Sequence, residues 1–265
     1  MKQLQNEKGN RSKRRDFLKK ISVSLFSLVL PGILKAEETS DDEKPWIIGD
    51  DYNPREHYWG MAIDVNKCIG CGRCANACKT ENNVPKHPYF FRTWVERYQI
   101  FEDGESTVDS PNGAINGFQI KGTNEGRVIR SFFVPKICNQ CDNPPCVQVC
   151  PVGATFMTPD GVILVDANYC IGCRYCIQAC PYGARYLNPE TKTADKCTFC
   201  YHRLVKGLSP ACVEACPTQA RVFGEVHKKA SPLVRFKRMN KISVLKPALN
   251  TEPKVLYANL DVEVR

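Results

Sequence analysis

Asp64-Val65-Asn66-Lys67-Cys68-Ile69-Gly70-Cys71-Gly72-Arg73-Cys74-Ala75-Asn76-Ala77-Cys78 and Asp166-Ala167-Asn168-Tyr169-Cys170-Ile171-Gly172-Cys173-Arg174-Tyr175-Cys176-Ile177-Gln178-Ala179-Cys180 are two copies of one motif, 102 residues apart and identical at 9 of 15 positions. Each has the spacing Cys-x2-Cys-x2-Cys-x3-Cys. Working outward, two further runs appear: Cys138, Cys141, Cys146 and Cys150, then Cys197, Cys200, Cys212 and Cys216. The 16 cysteines of the 265-residue chain thus fall into four groups of four. A duplicated binding unit is the simplest account. Each copy follows a short apolar run, Met61-Ala62-Ile63 or Val162-Ile163-Leu164-Val165, that reads as a strand. The Cys74 to Cys78 and Cys176 to Cys180 intervals suit the start of a short helix. The unit is therefore strand, loop, short helix. The tails Pro151-Val152-Gly153-Ala154, Pro181-Tyr182-Gly183-Ala184 and Pro217-Thr218-Gln219-Ala220 repeat one exit, and group one departs from it with Lys79. The expected fold is α+β, with short strands and helices in tandem ferredoxin-like units.

A cubane cluster needs four thiolates around one inorganic core. A loop with two residues between ligands wraps three iron corners, and the fourth ligand comes from elsewhere. In two-cluster ferredoxins the last Cys of each run reaches across to the other cluster. Gly70 and Gly172 suit the crowded turns, and Pro after the last Cys turns the chain out of the site. Zinc and disulfides compete with this reading. Group four alone would pass as a structural zinc site, whereas groups one and three would not. Eight disulfides are formally allowed, but triplets spaced by three are poor disulfide partners and the chain is no small scaffold. Gly70-Cys71-Gly72-Arg73-Cys74-Ala75 also matches a dinucleotide fingerprint, G-x-G-x-x-A. Cys71 and Cys74 occupy the helix start that such a fingerprint needs, so the glycines belong to the cysteine loop.

The composition, 43% hydrophobic and 25% charged, is globular. Of the formal charge of +9, residues 1–36 carry +7 and residues 37–265 only +2. Each oxidised cluster with its thiolates adds about −2, so a loaded chain without its first 36 residues is net acidic and no nucleic-acid partner is expected. Lys228 to Lys241, around Phe236, reads as a solvated basic surface. Lys13-Arg14-Arg15-Asp16-Phe17-Leu18-Lys19-Lys20, the apolar stretch Ile21 to Leu34 and the polar Glu37 to Lys44 have the layout of a targeting segment, too short to span a bilayer. The Arg14-Arg15 pair resembles a twin-arginine export signal, whose pathway moves folded, cofactor-loaded proteins. The chain is expected outside the cytoplasm or at the outer face of the membrane, with the segment cut near Ala36 or kept as an anchor.

The expected organisation is an export signal at 1–36, a linker at 37–57, a first two-cluster unit from 58–78 and 197–226, an insertion at 79–137, a second two-cluster unit at 138–196 and a C-terminal arm at 227–265. The insertion carries Tyr89, Phe90, Phe91, Trp94, Tyr98 and Phe101, as a local core or a partner surface. Pro247 to Arg265 reads as extended. His57, His87, His202 and His227 show no ligand spacing, and no catalytic triad or carboxylate pair is evident.

Cys138-Asn139-Gln140-Cys141-Asp142-Asn143-Pro144-Pro145-Cys146, Cys170-Ile171-Gly172-Cys173 and Asp195-Lys196-Cys197-Thr198-Phe199-Cys200 resemble the four-cluster electron-transfer subunits of membrane-associated molybdopterin oxidoreductases, the dimethyl sulfoxide, polysulfide and tetrathionate reductase type. The resemblance covers about residues 58–226. It implies four [4Fe-4S] clusters, with group one paired to group four and group two to group three. Carried over, Cys68, Cys71, Cys74 and Cys216 hold cluster 1, and Cys197, Cys200, Cys212 and Cys78 hold cluster 2. Cys138, Cys141, Cys146 and Cys180 hold cluster 3, and Cys170, Cys173, Cys176 and Cys150 hold cluster 4. The implied function is a relay of single electrons between a membrane quinone-interacting subunit and an extracytoplasmic catalytic subunit, with no catalytic site of its own. One alternative is the same relay serving a multihaem cytochrome or hydrogenase. Another is an exported binding protein stabilised by zinc or disulfides. Arg73, Arg174, Arg185, Lys196 and Arg221 lie near ligands in sequence and are candidates for raising a cluster potential.

Overall fold

Every cysteine group is entered and left by a strand, and the strands pair so that each exit meets the next entrance. A computed structural model describes residues 52–87, 90–119 and 126–264. The expected export signal and linker residues 37–51 lie outside the described residues. The strand before group one is β1 (Trp59–Asp64), and the strand after it is β2 (Thr93–Phe101). β3 (Ser106–Asp109) lies in the insertion, and β4 (Val128–Ile137) leads into group two. β5 (Thr155–Met157) leaves group two and β6 (Ile163–Val165) enters group three. β7 (Arg185–Leu187) and β8 (Ala194–Lys196) stand between groups three and four, and β9 (Arg221–Glu225) leaves group four. The antiparallel pairs are β2 with β4, β5 with β6, β7 with β8 and β9 with β1. The last pair closes the circuit and returns group four to group one.

Helices confirm that adjacency. Arg73–Glu81, which carries Cys74 and Cys78, packs on Ala211–Glu214, which carries Cys212. Pro145–Gln148, with Cys146, packs on Tyr175–Gln178, with Cys176. Groups one and four thus form one body of contacts, and groups two and three another.

The insertion forms a three-stranded sheet in the order β3-β2-β4. Tyr89 lies outside the described residues. Of the other insertion aromatics, Tyr98 is buried and stacks on Phe132 across the strand pair at 5.3 Å, Phe101 is buried at the β2 end, and Phe90, Phe91 and Trp94 are half-buried. Phe90 reaches out of the insertion to stack on Tyr186 at 4.7 Å.

The reading of the C-terminal residues as an extended arm needs correction. A helix, Pro232–Met239, starts on Ser231, whose side chain accepts from Leu233 N, and buries Leu233. Its Arg235, Lys237 and Arg238 face solvent, as expected for a solvated basic surface. β10 (Ile242–Ser243) and β11 (Val255–Ala258) then complete a four-stranded sheet in the order β10-β11-β1-β9. β11 runs parallel to β1, and Met61, Ile63, Val255 and Tyr257 are fully buried between the layers. Four residues are too short a periodic signal to distinguish a strand from an arm. Just before β11, the chain crosses the group-two loop: Asp142 N donates to Glu252 O at 2.9 Å and Lys254 N to Asn139 O at 3.0 Å. Tyr182 OH and Thr251 Oγ1 are 2.5 Å apart. The C-terminus is thus a strap across both bodies.

The repeat extends to the backbone. Gly72 and Arg174, equivalent in the two copies, both precede a helix in the left-handed region, at φ 65° and 67°. A Cβ on Gly72 would lie 2.0 Å from Ala114 O, because the insertion closes over that turn. Arg174 has an exposed side chain and tolerates the strained φ. Gly72→Ala is expected to destabilise the protein by more than about 2 kcal/mol and Arg174→Gly to change it by less than about 1 kcal/mol. Anaerobic thermal unfolding of the two variants checks the difference.

Candidate iron-sulfur cluster sites

All sixteen cysteines are described, and all are free thiols. Two small voids account for eight of them. One is lined by Cys197, Cys200, Cys212 and, from the other end of the sequence, Cys78. The second is lined by Cys138, Cys141, Cys146 and Cys180. Each void takes three thiols from one run and one from its paired run. Cys68 lies in the electrostatic field of Cys74 and Cys216, joining group one to the end of group four. Cys71 and Cys173 are exposed in their loops. Cys170 accepts from Ala194 N at 3.4 Å, and Cys150 from Thr155 N at 3.4 Å.

Among the described residues no three His, Cys, Asp or Glu side chains converge as ligands of a single metal ion. Zinc needs its sulfurs about 2.3 Å from one point, whereas these thiols ring a void. Two histidines are engaged in carboxylate pairs, His57 with Glu225 and His202 with Glu81.

The surroundings show what the thiols are built for. Burial pushes the Cys68 thiol up to about 11, Cys212 to about 11 and Cys141 to about 12, and raises Cys78 and Cys197 as well. Partial burial also pulls at Cys150, but backbone N–H groups of Thr155, Val152 and Ala154 outweigh it and hold its thiol below the ordinary value. Cys216 is lowered in the same way, against partial burial, by Thr218 and by the N–H groups of Ala220 and Arg221. The repeated Pro-x-x-Ala tail thus does more than turn the chain: it aims peptide donors at the crossing cysteine.

Arg221 is fully enclosed. Burial opposes its charge, but the thiolates of Cys74 and Cys212 outweigh that and raise its pKa. Arg185 is held the same way by Cys146, Cys138 and Cys176. Of the five cations expected near ligands, Arg185, Lys196 and Arg221 are buried, while Arg73 and Arg174 face solvent. The former three sit on strands that enter or leave a loop; the latter two stand at helix starts turned outward.

Four further residues carry no periodic signal in the sequence. Asn82 Nδ2 approaches Cys78 Sγ at 3.6 Å and Cys200 Sγ at 3.5 Å, and Arg92 Nη1 donates to Asn82 Oδ1 at 2.9 Å. Asn139 lines the second void, and both polar atoms of its buried side chain lack a protein partner. Gln140, fully buried, donates to Cys197 O at 2.7 Å and accepts from Ile163 N at 2.7 Å, stitching the two voids together. Asn139 and Gln140 have one sequence cue, their place between two ligands in an x2 loop; Asn82 and Arg92, beyond the last Cys of group one, have none.

This donor set fits [4Fe-4S] clusters. Four soft thiolates per void match the ligand requirement, the N–H groups match sulfur acceptors, and a cluster sulfur would accept from the orphaned Asn139 Nδ2. The buried cations need negative charge in the voids beside them.

Models of the 4Fe-4S dicluster domain match residues 67–154 and 129–226. A tetrathionate reductase subunit from Salmonella typhimurium is 41% identical over 253 residues, covering 94% of this chain and 89% of that one. A second tetrathionate reductase subunit, from Archaeoglobus fulgidus, is 49% identical over 198 residues, 75% of this chain and 80% of that one. A polysulfide reductase chain from Wolinella succinogenes is 37% identical over 204 residues, 74% of this chain and 92% of that one. With two dicluster domains and sixteen cysteines, the cofactor complement is four [4Fe-4S] clusters.

Gln140→Leu leaves the Ile163 N–H without its buried partner and the Cys197 carbonyl with Lys196 Nζ alone. A loss of about 1 to 3 kcal/mol is expected, read as a lower thermal midpoint with reduced iron retention during anaerobic gel filtration.

Proposed function

The protein belongs to the family of 4Fe-4S dicluster iron-sulfur subunits of the tetrathionate, polysulfide and dimethyl sulfoxide reductase type, and from that premise we propose that it relays single electrons between a membrane quinone-interacting subunit and a molybdopterin catalytic subunit outside the cytoplasm. It carries no catalytic site of its own. When bound, a [4Fe-4S] cluster takes up and gives back one electron. The residues of the chain fix where the four clusters sit and what surrounds them.

The ligand sets we assign are Cys68, Cys71, Cys74 and Cys216 for the first cluster and Cys197, Cys200, Cys212 and Cys78 for the second. The third takes Cys138, Cys141, Cys146 and Cys180, and the fourth takes Cys170, Cys173, Cys176 and Cys150. The observation that carries the reading is the composition of the two voids, each with three thiols of one run and the last thiol of the paired run. The order first to fourth is supported by neighbours across each boundary: Cys74 and Cys212 share Arg221, Cys197 lies in the field of Cys138, and Cys146 and Cys176 share Arg185.

The second set is wholly buried, and the first and fourth contain the two exposed cysteines. Beside them, at equivalent repeat positions, stand Ile69 and Ile171, exposed by 58% and 65%. We assign these two faces to the partner subunits, since an exposed ligand flanked by apolar side chains gives both close approach and a surface to bury. Burial of the second set lowers the local dielectric, which strengthens the thiolate–cation pair there.

Export is part of the same proposal. It rests on Arg14-Arg15-Asp16-Phe17-Leu18-Lys19 and the apolar stretch that follows. Among the described residues no helix is long and apolar enough to cross a membrane.

Anaerobic affinity purification from detergent-solubilised membranes, followed by molybdenum, tungsten and haem analysis, tests the partner assignment. Molybdenum or tungsten with a large co-purifying protein is expected, and haem without either metal would give the relay to a cytochrome. The crossed ligands have their own test. Cys216→Ser is expected to remove about one quarter of the bound iron and to delete the same EPR signal as Cys71→Ser. Loss of the signal deleted by Cys200→Ser instead would refute the crossing.

A further inference from the structure

A buried cation stands at every boundary between neighbouring thiol sets. At the first boundary, Arg221 Nη2 donates to Cys74 Sγ at 3.4 Å and Nη1 to Cys212 Sγ at 3.6 Å, with Nη2 also on Thr93 Oγ1 at 2.7 Å. Cys74 belongs to the first set and Cys212 to the second. At the third boundary, Arg185 Nη2 donates to Cys146 Sγ at 3.1 Å and Nη1 to Thr155 Oγ1 at 3.3 Å, within the field of Cys176. Those cysteines belong to the third and fourth sets. Between the second and third sets lies Lys196, 1% exposed, whose Nζ donates to the carbonyls of Ile163 and Cys197 in the field of Cys138, Cys197 and Cys146.

The two arginines are structural equivalents. Each stands five residues after the last Cys of its run, in Cys-Pro-x-x-Ala-Arg, as the first residue of an exit strand. Each is held by a Thr that begins the other exit strand of the same pair of runs, Thr93 of β2 or Thr155 of β5. Among the described residues no carboxylate pairs with Arg221, Arg185 or Lys196. Burial works against the Lys196 charge, with Arg185 adding to it and the thiols of Cys138, Cys197 and Cys146 opposing it. A guanidinium buried without a carboxylate requires negative charge close by, and the thiols in contact with Arg221 and Arg185 offer it.

We propose that Arg221, Lys196 and Arg185 are inter-cluster cations, each raising the reduction potentials of the two clusters that flank it, so that potentials along the relay are set in adjacent pairs. This deepens the relay reading and rests on it. Reduction adds negative charge to a cluster, so a nearby cation favours the reduced form, and low dielectric amplifies the effect. Arg221 touches thiols of both neighbouring sets; Arg185 touches Cys146 and Lys196 the carbonyls of Ile163 and Cys197, each buried where the next set begins. A surface cation such as Arg73 or Arg174, screened by water, does little.

The test uses full-length holoprotein purified anaerobically, with iron quantified and EPR followed through a redox titration. One serine variant per set, Cys71→Ser, Cys200→Ser, Cys141→Ser and Cys173→Ser, assigns the signals. Arg221→Met is expected to lower the reduction constants of the first and second clusters by about tenfold or more, about 59 mV each, and to leave the third and fourth in place. Arg185→Met is expected to do the reverse, and Lys196→Met to act on the second and third. If a methionine variant loses iron, Arg221→Lys and Thr93→Val, which keep a charge but displace it, are expected to give a smaller shift in the same pair. A shift of one cluster alone, equal shifts of all four, or none with iron intact would overturn the proposal. Wild-type protein with fewer than four clusters would overturn the relay reading as well.

Discussion

Three cysteines spaced by two residues wrap one side of a cubane and leave its fourth corner open, and this shortfall shapes everything else in the molecule. The missing thiol has to be brought in from another run. Strand pairing does this twice, joining β5 to β6 for the middle runs and β9 to β1 for the outer ones. The first closure is local. The second spans most of the described chain, so the body formed by groups one and four encloses the other in sequence. Helix packing follows from the same demand, since the crossing cysteine sits at the end of a short helix that has to reach its neighbour's loop.

Gathering thiolates in the interior creates an electrostatic problem that hydrophobic burial cannot solve. Peptide N–H groups at the Pro-x-x-Ala tails treat it locally, at Cys150 and Cys216. Arg221, Lys196 and Arg185 treat it between sites. The absence of carboxylate partners among the described residues leaves these cations dependent on the clusters. Cofactor and protein therefore stabilise each other: buried cations without clusters are as costly as buried clusters without cations.

The repeat and the four runs were legible because ligand spacing is a local constraint, repeated without interruption in the chain. Met61 to Ile63 and Val162 to Val165 read as strands for the same reason. β11 was not legible: Val255 and Tyr257 are buried by a partner strand almost two hundred residues earlier, and four residues carry too little pattern to announce it. The cations were legible only as a set of five. What separates Arg221 and Arg185 from Arg73 and Arg174 is the direction in which a strand start or a helix start points its side chain, and that is decided by tertiary closure. Asn139 and Gln140 stood in plain view inside a ligand loop, but their burial depends on the strap laid over them. The crossed ligand sets came from family resemblance; the sequence spacing alone left them open.

The position of β1 has a consequence for how the molecule is made. Of the described strands it is the first to emerge during synthesis, yet its neighbours in the sheet, β9 and β11, are the last long ones. Contacts this distant in sequence form slowly and late. The inner pair of runs can close while the chain is still growing, but the outer pair waits for the whole chain. With the proposed ligand sets, the group-one thiols wait for the last strands to be made, and they stay open to oxidation until β9 and β11 have docked on β1.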